Sequence, residues 1–173
     1  MKIRTGFGYD VHAFTGGRAL WLGGVRIEYP LGLAGHSDAD VLVHAICDAL
    51  LGAANLGDIG LHFPDTSAEY RDIDSKILLG KTMEMLRMSG YELGNVDATV
   101  VTEQPKLKPY IPAMQQTLAE VMQVDPDDLS IKATTSEKMG FAGRGEGIAA
   151  YASVLLTDRI TTYSDIIAPQ VAK

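Results

Sequence analysis

Apolar positions change period several times along the chain, and each change marks an element. From Lys2 to Phe14 a short extended segment is predicted. Thr15-Gly16-Gly17-Arg18 then turns the chain into a second strand region around Leu20–Ile27, which Gly23-Gly24 interrupts. Pro30, Gly32 and Gly35 read as an exposed loop. The period then becomes helical: Val41, Leu42, Ala45, Ile46, Ala49 and Leu50 recur at three- and four-residue spacing as one buried face, with Asp38 or Asp40 able to cap the start. Asp40, His44 and Asp48 share another face of that helix, which Gly52, Asn55 and Gly57 end.

A second helix is predicted over Asp74–Met88, burying Leu78, Leu79, Thr82, Met83 and Leu86 and stopped by Gly90. Leu93–Glu103 is β-branched and partly alternating, so it reads as a strand, and the prolines of Gln104-Pro105-Lys106-Leu107-Lys108-Pro109 prevent regular pairing beyond it. A third helix starts around Tyr110–Pro112, burying Ile111, Met114, Leu118, Val121 and Met122, until Asp125-Pro126-Asp127 breaks it. Strand Leu129–Ala133 leads through Thr134-Thr135-Ser136-Glu137-Lys138 and a Gly-rich loop, Gly140–Gly147, into Ile148–Leu156, whose unbroken hydrophobicity predicts cover on both faces. The order β-α-α-β-α-β predicts an α/β or α+β architecture, with helices layered on a sheet. One domain over 1–157 and a C-terminal tail or peripheral helix over 158–173 account for the chain.

Composition narrows the function. At 173 residues, 46% hydrophobic and 21% charged, the chain can bury a true core. A net charge of −7 argues against gathering nucleic acid or anionic lipid by bulk attraction, so an anionic substrate must meet local cations or backbone N–H groups. The single cysteine, Cys47, excludes an intrachain disulfide and a Cys-rich zinc module and fits a reducing compartment. Neither a signal-peptide core nor a membrane-length apolar run is present, so a cytoplasmic protein without membrane partners is expected.

Candidate chemistry concentrates in Tyr9-Asp10-Val11-His12 and in Gly35–His44, which together hold three of the 4 histidines. In a strand, Asp10 and His12 point to the same side. His44 meets them if its helix packs over the strand end. Two imidazoles and a carboxylate leave a coordination position of Zn²⁺ open, as catalytic zinc sites do, and the same set also suits non-haem iron or a purely structural metal. Taken alone, Asp-x-His better fits a solvated acid beside hydrogen-bonded histidines. His36-Ser37-Asp38 precedes a helix, where N–H groups favour a phosphate or, as plainly, a cap. Asp58-Ile59-Gly60 is a functional loop or an ordinary turn. Lys106 and Lys108 form a rigid basic loop for a nucleotide or two solvated lysines. Thr134-Thr135-Ser136-Glu137 offers oxygen ligands suited to Mg²⁺ and substrate phosphates, or a Ser/Thr cap. The glycine-rich segment lacks P-loop and Rossmann spacing, although Arg144 within it can reach a phosphate or an acid.

Read in order, Asp10-Val11-His12, Gly23-Gly24-Val25, His36-Ser37-Asp38-Ala39-Asp40-Val41, His44-Ala45, Gly57-Asp58-Ile59-Gly60, Phe63-Pro64-Asp65-Thr66, Gly94-Asn95-Val96-Asp97, Lys132-Ala133-Thr134-Thr135 and Gly143-Arg144-Gly145-Glu146-Gly147 closely resemble the 2-C-methyl-D-erythritol 2,4-cyclodiphosphate synthase family, from about Ile3 to Leu156. The resemblance implies a homotrimer with active sites between subunits and sheets facing its centre. It also implies conversion of 4-diphosphocytidyl-2-C-methyl-D-erythritol 2-phosphate into the cyclodiphosphate and CMP, in the non-mevalonate isoprenoid pathway. By resemblance, Asp10, His12 and His44 hold zinc, and Glu137 helps hold a second divalent ion, Mg²⁺ or Mn²⁺. His36 and Thr135 stabilise the transition state. The substrate-binding set runs through Asp10, Val11, His12, His36, Ser37, Asp58, Ile59 and Gly60 to Phe63, Pro64, Asp65, Thr66 and Ser67. On the cytidine diphosphate side it takes in Thr102, Glu103, Gln104, Pro105, Lys106, Leu107, Lys108, Thr134, Thr135, Ser136 and Glu137, with Phe141 and Arg144. Arg144 and Glu146 line the trimer axis, a candidate place for a prenyl diphosphate. Ser67 stands where the family usually has Asp, and Ser136 where Thr is common.

Overall fold

The structure, a computed structural model, describes residues 2–158. In chain order its elements are β1 (Ile3–Thr15), β2 (Leu20–Leu22), β3 (Val25–Ile27), β4 (Gly32–Leu33), α1 (Val41–Ala54), α2 (Ile59–His62), α3 (Ser75–Met88), β5 (Tyr91–Val101), α4 (Ile111–Met122), β6 (Leu129–Thr134), α5 (Gly140–Gly143) and β7 (Gly147–Asp158). A mixed sheet of order β4-β1-β7-β5-β6 carries the helices, as the layered α/β reading expects. Only β5 and β6 are parallel, and α4 supplies the crossover that a parallel pair needs.

The packing of α1 on β1 positions the site. On one face of β1, Gly6, Gly8, Asp10 and His12 follow one another at period two. A Cβ on Gly6 would lie 2.0 Å from the Ala49 carbonyl oxygen, and one on Gly8 would lie 2.0 Å from that of Ala45. Only glycine lets the helix backbone settle directly onto the strand there. Further along the same face the strand carries Asp10 and His12, so the helix that lies on the glycines must bring His44 down beside them.

Several expectations are refined. Leu20–Ile27 is a β2–β3 hairpin rather than one interrupted strand, because Gly23 and Gly24 both take positive φ, 59° and 71°, as a tight two-residue turn requires. Asp40, not Asp38, caps α1, and its buried carboxylate accepts from Val43 N at 3.1 Å, Gly23 N at 2.9 Å and Gly24 N at 2.6 Å. Burial pushes its pKa up, against the pull of those N–H donors. α1 is buried nearly all round rather than on one face, since the sheet covers one side and α3 another. The glycine-rich loop contains the short α5. Asp158 is strand, pairing with Tyr91 and accepting from Lys2 N at 2.8 Å; the rest of the expected tail, 159–173, lies outside the described residues.

The largest departure concerns β7. Its hydrophobicity predicts cover on both sides, yet among the described residues the outer side is covered only in part: Ala149 is buried while Tyr151 and Ser153 are exposed. The outer face of β1 and β7 exposes Ile3, Phe7, Tyr9, Val11 and Tyr151, with Phe7 67% accessible. Among the described residues no helix is long and apolar enough to cross a membrane.

Candidate functional site

Asp10 Oδ2 lies 3.0 Å from His12 Nε2 and 3.0 Å from His44 Nδ1, and the two nitrogens are 3.2 Å apart. Zinc with three such ligands at ~2.05 Å and tetrahedral angles holds them about 3.3 Å from one another. The spacing therefore fits a single ion. The chemistry of the donors agrees. A carbonyl oxygen only accepts, so the 2.7 Å contact between His12 Nδ1 and Ala34 O puts a proton on Nδ1 and makes Nε2, turned inward toward Asp10 and His44, the nitrogen available to an ion. Burial works to raise the pKa of Asp10, but hydrogen bonds and charge from His12 and His44 outweigh it and hold the carboxyl well below the usual range. Burial likewise works to lower the pKa of His12, and Asp10 more than reverses it.

A cavity of about 410 Å³ opens beside this cluster, lined by His12, His36, Ser37 and His44 on one side and by Ile59, Gly60, Phe63, Pro64 and Asp65 on the other. His36 Nε2 donates to the Ser67 carbonyl at 3.0 Å, tying the two walls together. The Asp58-Ile59-Gly60 segment is not a free turn: Asp58 caps α2 through Leu61 N at 2.9 Å, and Ile59 N donates to Asp48 of α1 at 2.7 Å. At the start of α1, where the sequence fits a phosphate or a cap, the Asp40 carboxylate caps the helix through Val43 N at 3.1 Å.

A second cavity, about 290 Å³, lies over β6 and the start of α4 and is lined by Thr102, Pro105, Lys106, Leu107, Lys108, Thr134 and Thr135, together with Ile111 and Ala133. No residue lines both cavities. Other expected residues stand outside them. Val11 is on the opposite face of β1, Thr66 and Ser67 follow the first cavity, and Glu103 accepts from Ser136 N at 3.1 Å and Lys138 N at 3.0 Å, bracing the turn that presents Thr135. Gln104 accepts from the Thr102 hydroxyl through its carbonyl, and Ser136 donates to the Met139 carbonyl. Glu137 accepts from Thr135 Oγ1 at 2.7 Å. Phe141 sits in α5, and Arg144 pairs with Glu146 at 2.7 Å.

A family model described as the YgbB family matches residues 3–157. The chain belongs to the YgbB family. Similar relatives are named 2-C-methyl-D-erythritol 2,4-cyclodiphosphate synthase, as the motifs suggested. One from Parabacteroides distasonis is 71% identical over 156 residues, spanning 90% of this chain and 97% of its own. One from Bacteroides fragilis is 67% identical, spanning 90% and 98%. A solved 2C-methyl-D-erythritol-2,4-cyclodiphosphate synthase in its CDP-bound form superposes with TM-score 0.82 at 36% identity, covering 89% of this chain and 100% of that one. The bifunctional IspDF of Campylobacter jejuni superposes with TM-score 0.88 at 46% identity, covering 91% of this chain and 42% of that one.

The YgbB site also contains residues that motif reading missed. Arg18 donates to the carbonyls of Gly35 and Ser37 and so pins the loop carrying His36. Tyr70 and Leu78 complete the first cavity, and Ala34 orients His12. Ser75, wholly buried at the first position of α3, contacts His44 Nε2 at 3.0 Å. For Ser75 the sequence offered one signal, an Asp-Ser pair at a helix start, which reads the same as a cap.

Proposed function

We propose that this chain closes 4-diphosphocytidyl-2-C-methyl-D-erythritol 2-phosphate on itself, giving 2-C-methyl-D-erythritol 2,4-cyclodiphosphate and CMP in the non-mevalonate isoprenoid pathway. The observation that carries the reading is the convergence of Asp10 Oδ2, His12 Nε2 and His44 Nδ1 beside a cavity walled by His36 and Ser37. The names of its relatives and the CDP bound in a similar structure point to the same chemistry.

In this reaction an oxygen of the substrate's 2-phosphate attacks the β-phosphorus, and the bond from that phosphorus to the CMP oxygen breaks. Nucleophile and electrophile belong to one molecule, so the protein's task is to fold it and to neutralise crowded negative charge. Holding the near-attack geometry contributes on the order of 7 kcal/mol or more. Zinc on Asp10, His12 and His44, and Mg²⁺ or Mn²⁺ at Glu137, would supply Lewis-acid charge neutralisation when bound. Ser37, Ile59, Gly60 and Phe63–Ser67, with Asp58, Asp10, Val11 and His12, would hold the methylerythritol phosphate. Thr102–Lys108, Thr134–Glu137, Phe141 and Arg144 would surround the cytidine diphosphate. His36 and Thr135 would stabilise charge on the phosphoryl oxygens in transit. No protein nucleophile is required.

The proposal includes a homotrimer with sites between subunits. The two cavities have no lining residue in common, and the aromatic outer face of β1 and β7 has no cover among the described residues. Packing three copies about that face would join one copy's nucleotide cavity to the next copy's metal cluster. Arg144 and Glu146 would then lie at the axis, where a prenyl diphosphate is the candidate ligand. Incubation of the protein with substrate, Mg²⁺ and Zn²⁺ tests the reaction. CMP and the cyclic diphosphate should appear in equal amounts, whereas an open-chain bisphosphate would mean hydrolysis and would contradict the proposal.

A further inference from the structure

His44 leaves α1 between two demands: Nδ1 faces Asp10 and His12, and Nε2 faces Ser75 Oγ at 3.0 Å and Ser37 Oγ at 3.2 Å. Which nitrogen carries the proton decides whether His44 can ligate. The neighbours answer this by proton counting. Asp38 accepts from Ser75 twice, from the backbone N at 3.0 Å and from the hydroxyl. A carboxylate only accepts, so the single Ser75 proton is committed to Asp38. Toward His44, Ser75 Oγ then presents a lone pair and can only accept. The Nε2 atom must therefore be an N–H donor, which makes Nδ1, 3.0 Å from Asp10 Oδ2, the nitrogen that is left to take an ion.

Ser37 makes the point sharper. Its hydroxyl could donate to a bare Nε2 and stabilise the other tautomer, in which Nδ1 carries the proton and cannot bind a metal. It also accepts from Ala39 N at 3.1 Å and lies 3.4 Å from Ser75 Oγ. With the Ser75 proton turned away, a bare Nε2 would face a bare oxygen at 3.0 Å, so Asp38 and Ser75 together exclude that state.

We infer that Asp38 and Ser75 are positioning residues that set the ligating tautomer of His44, acting in series from the loop before α1 and the first turn of α3. The inference rests on the metal reading above. It also explains why α3 begins with a buried hydroxyl and why Asp38 caps nothing on its own helix.

The test is zinc affinity by competition against a chromophoric chelator, for the full chain and for Ser75→Ala, Asp38→Asn, the double variant and Ser75→Thr, with circular dichroism to verify folding. Ser75→Ala and Asp38→Asn should each weaken zinc binding by roughly 10- to 100-fold. The double variant should be no weaker than Ser75→Ala alone, because the two act through one hydrogen-bond path. Ser75→Thr, which keeps the hydroxyl, should stay within a few-fold of the parent. Unchanged affinity in Ser75→Ala, or losses that add in the double variant, would overturn the inference. Should Ser75→Ala not fold, Asp38→Asn decides: affinity equal to the parent's overturns it. Failure of the unsubstituted chain to bind zinc would sink the metal reading itself, a result distinct from any of these.

Discussion

The two faces of β1 are built from alternate residues of one strand, and they end in opposite conditions. Inward, Gly6, Gly8, Asp10 and His12 meet α1 so closely that the helix backbone rests on the strand, and every demand of that face is met within the chain. Outward, Phe7, Tyr9 and Val11 stand beside Tyr151 of β7, with Tyr9 and Tyr151 ring centroids 5.0 Å apart, and none of the described residues covers them. The inner face by itself brings together three donors that could hold a metal ion. The outer face is an apolar surface of the kind that marks an association site. One strand therefore has a side packed against its own helix and a side left exposed.

The strongest way to break this comparison is on the inner face. His44→Ala removes one of three converging donors, and we expect turnover to fall on the order of 10³-fold, with zinc lost and circular dichroism unchanged. Collapse of the fold instead would make the cluster structural. Gly8→Ala should next destabilise the chain by on the order of 3 kcal/mol, read from the urea midpoint, because its Cβ would lie 2.0 Å from the Ala45 carbonyl oxygen. A midpoint near the parent's would mean that α1 can move off the strand and that the glycines do not position His44.

The outer face is sharpened by Phe7→Asp. With Phe7 67% accessible, stability of the single chain should change by only about 0.5 kcal/mol, while sedimentation should show loss of the assembled species and zinc binding should persist. Unchanged sedimentation would leave this face without a role in assembly. The smallest effect concerns Cys47, buried in α1 behind the inner face. Burial pushes its thiol up to about 12. It should therefore resist thiol reagents at about pH 8 until the protein unfolds. Its raised pKa contributes stability that is fully present below the ordinary value of 9.0 and is lost as pH rises toward 12, so an alkaline melt should decline across that window.

The helices and strands were largely legible because their apolar periods are strong: in α3, Leu78, Leu79, Thr82, Met83 and Leu86 are all buried as the spacing predicts. The convergence of the three donors was legible because period two puts Asp10 and His12 on one side. What remained hidden depends on contacts between distant segments. Asp38 and Asp40 are equivalent as caps in sequence, and only the arrival of the β2–β3 turn at Asp40 and of Ser75 at Asp38 separates them. Nothing in a strand pattern marks Gly6 and Gly8 as the seat of a helix, because their close approach to Ala49 and Ala45 arises only when α1 packs on β1. The unbroken hydrophobicity of Ile148–Leu156 predicts cover on both faces, yet Tyr151 and Ser153 are exposed, because a run of apolar residues does not say which elements lie over each side of the sheet.

Anomalous diffraction at the zinc edge, from crystals grown with Zn²⁺ and CDP, tests the central claim most directly. One ion per chain should appear within bonding distance of Asp10 Oδ2, His12 Nε2 and His44 Nδ1, with CDP seated on the Lys106–Thr135 cavity of an adjoining copy. An ion bound elsewhere, or those three atoms drawn apart around no ion, would contradict it.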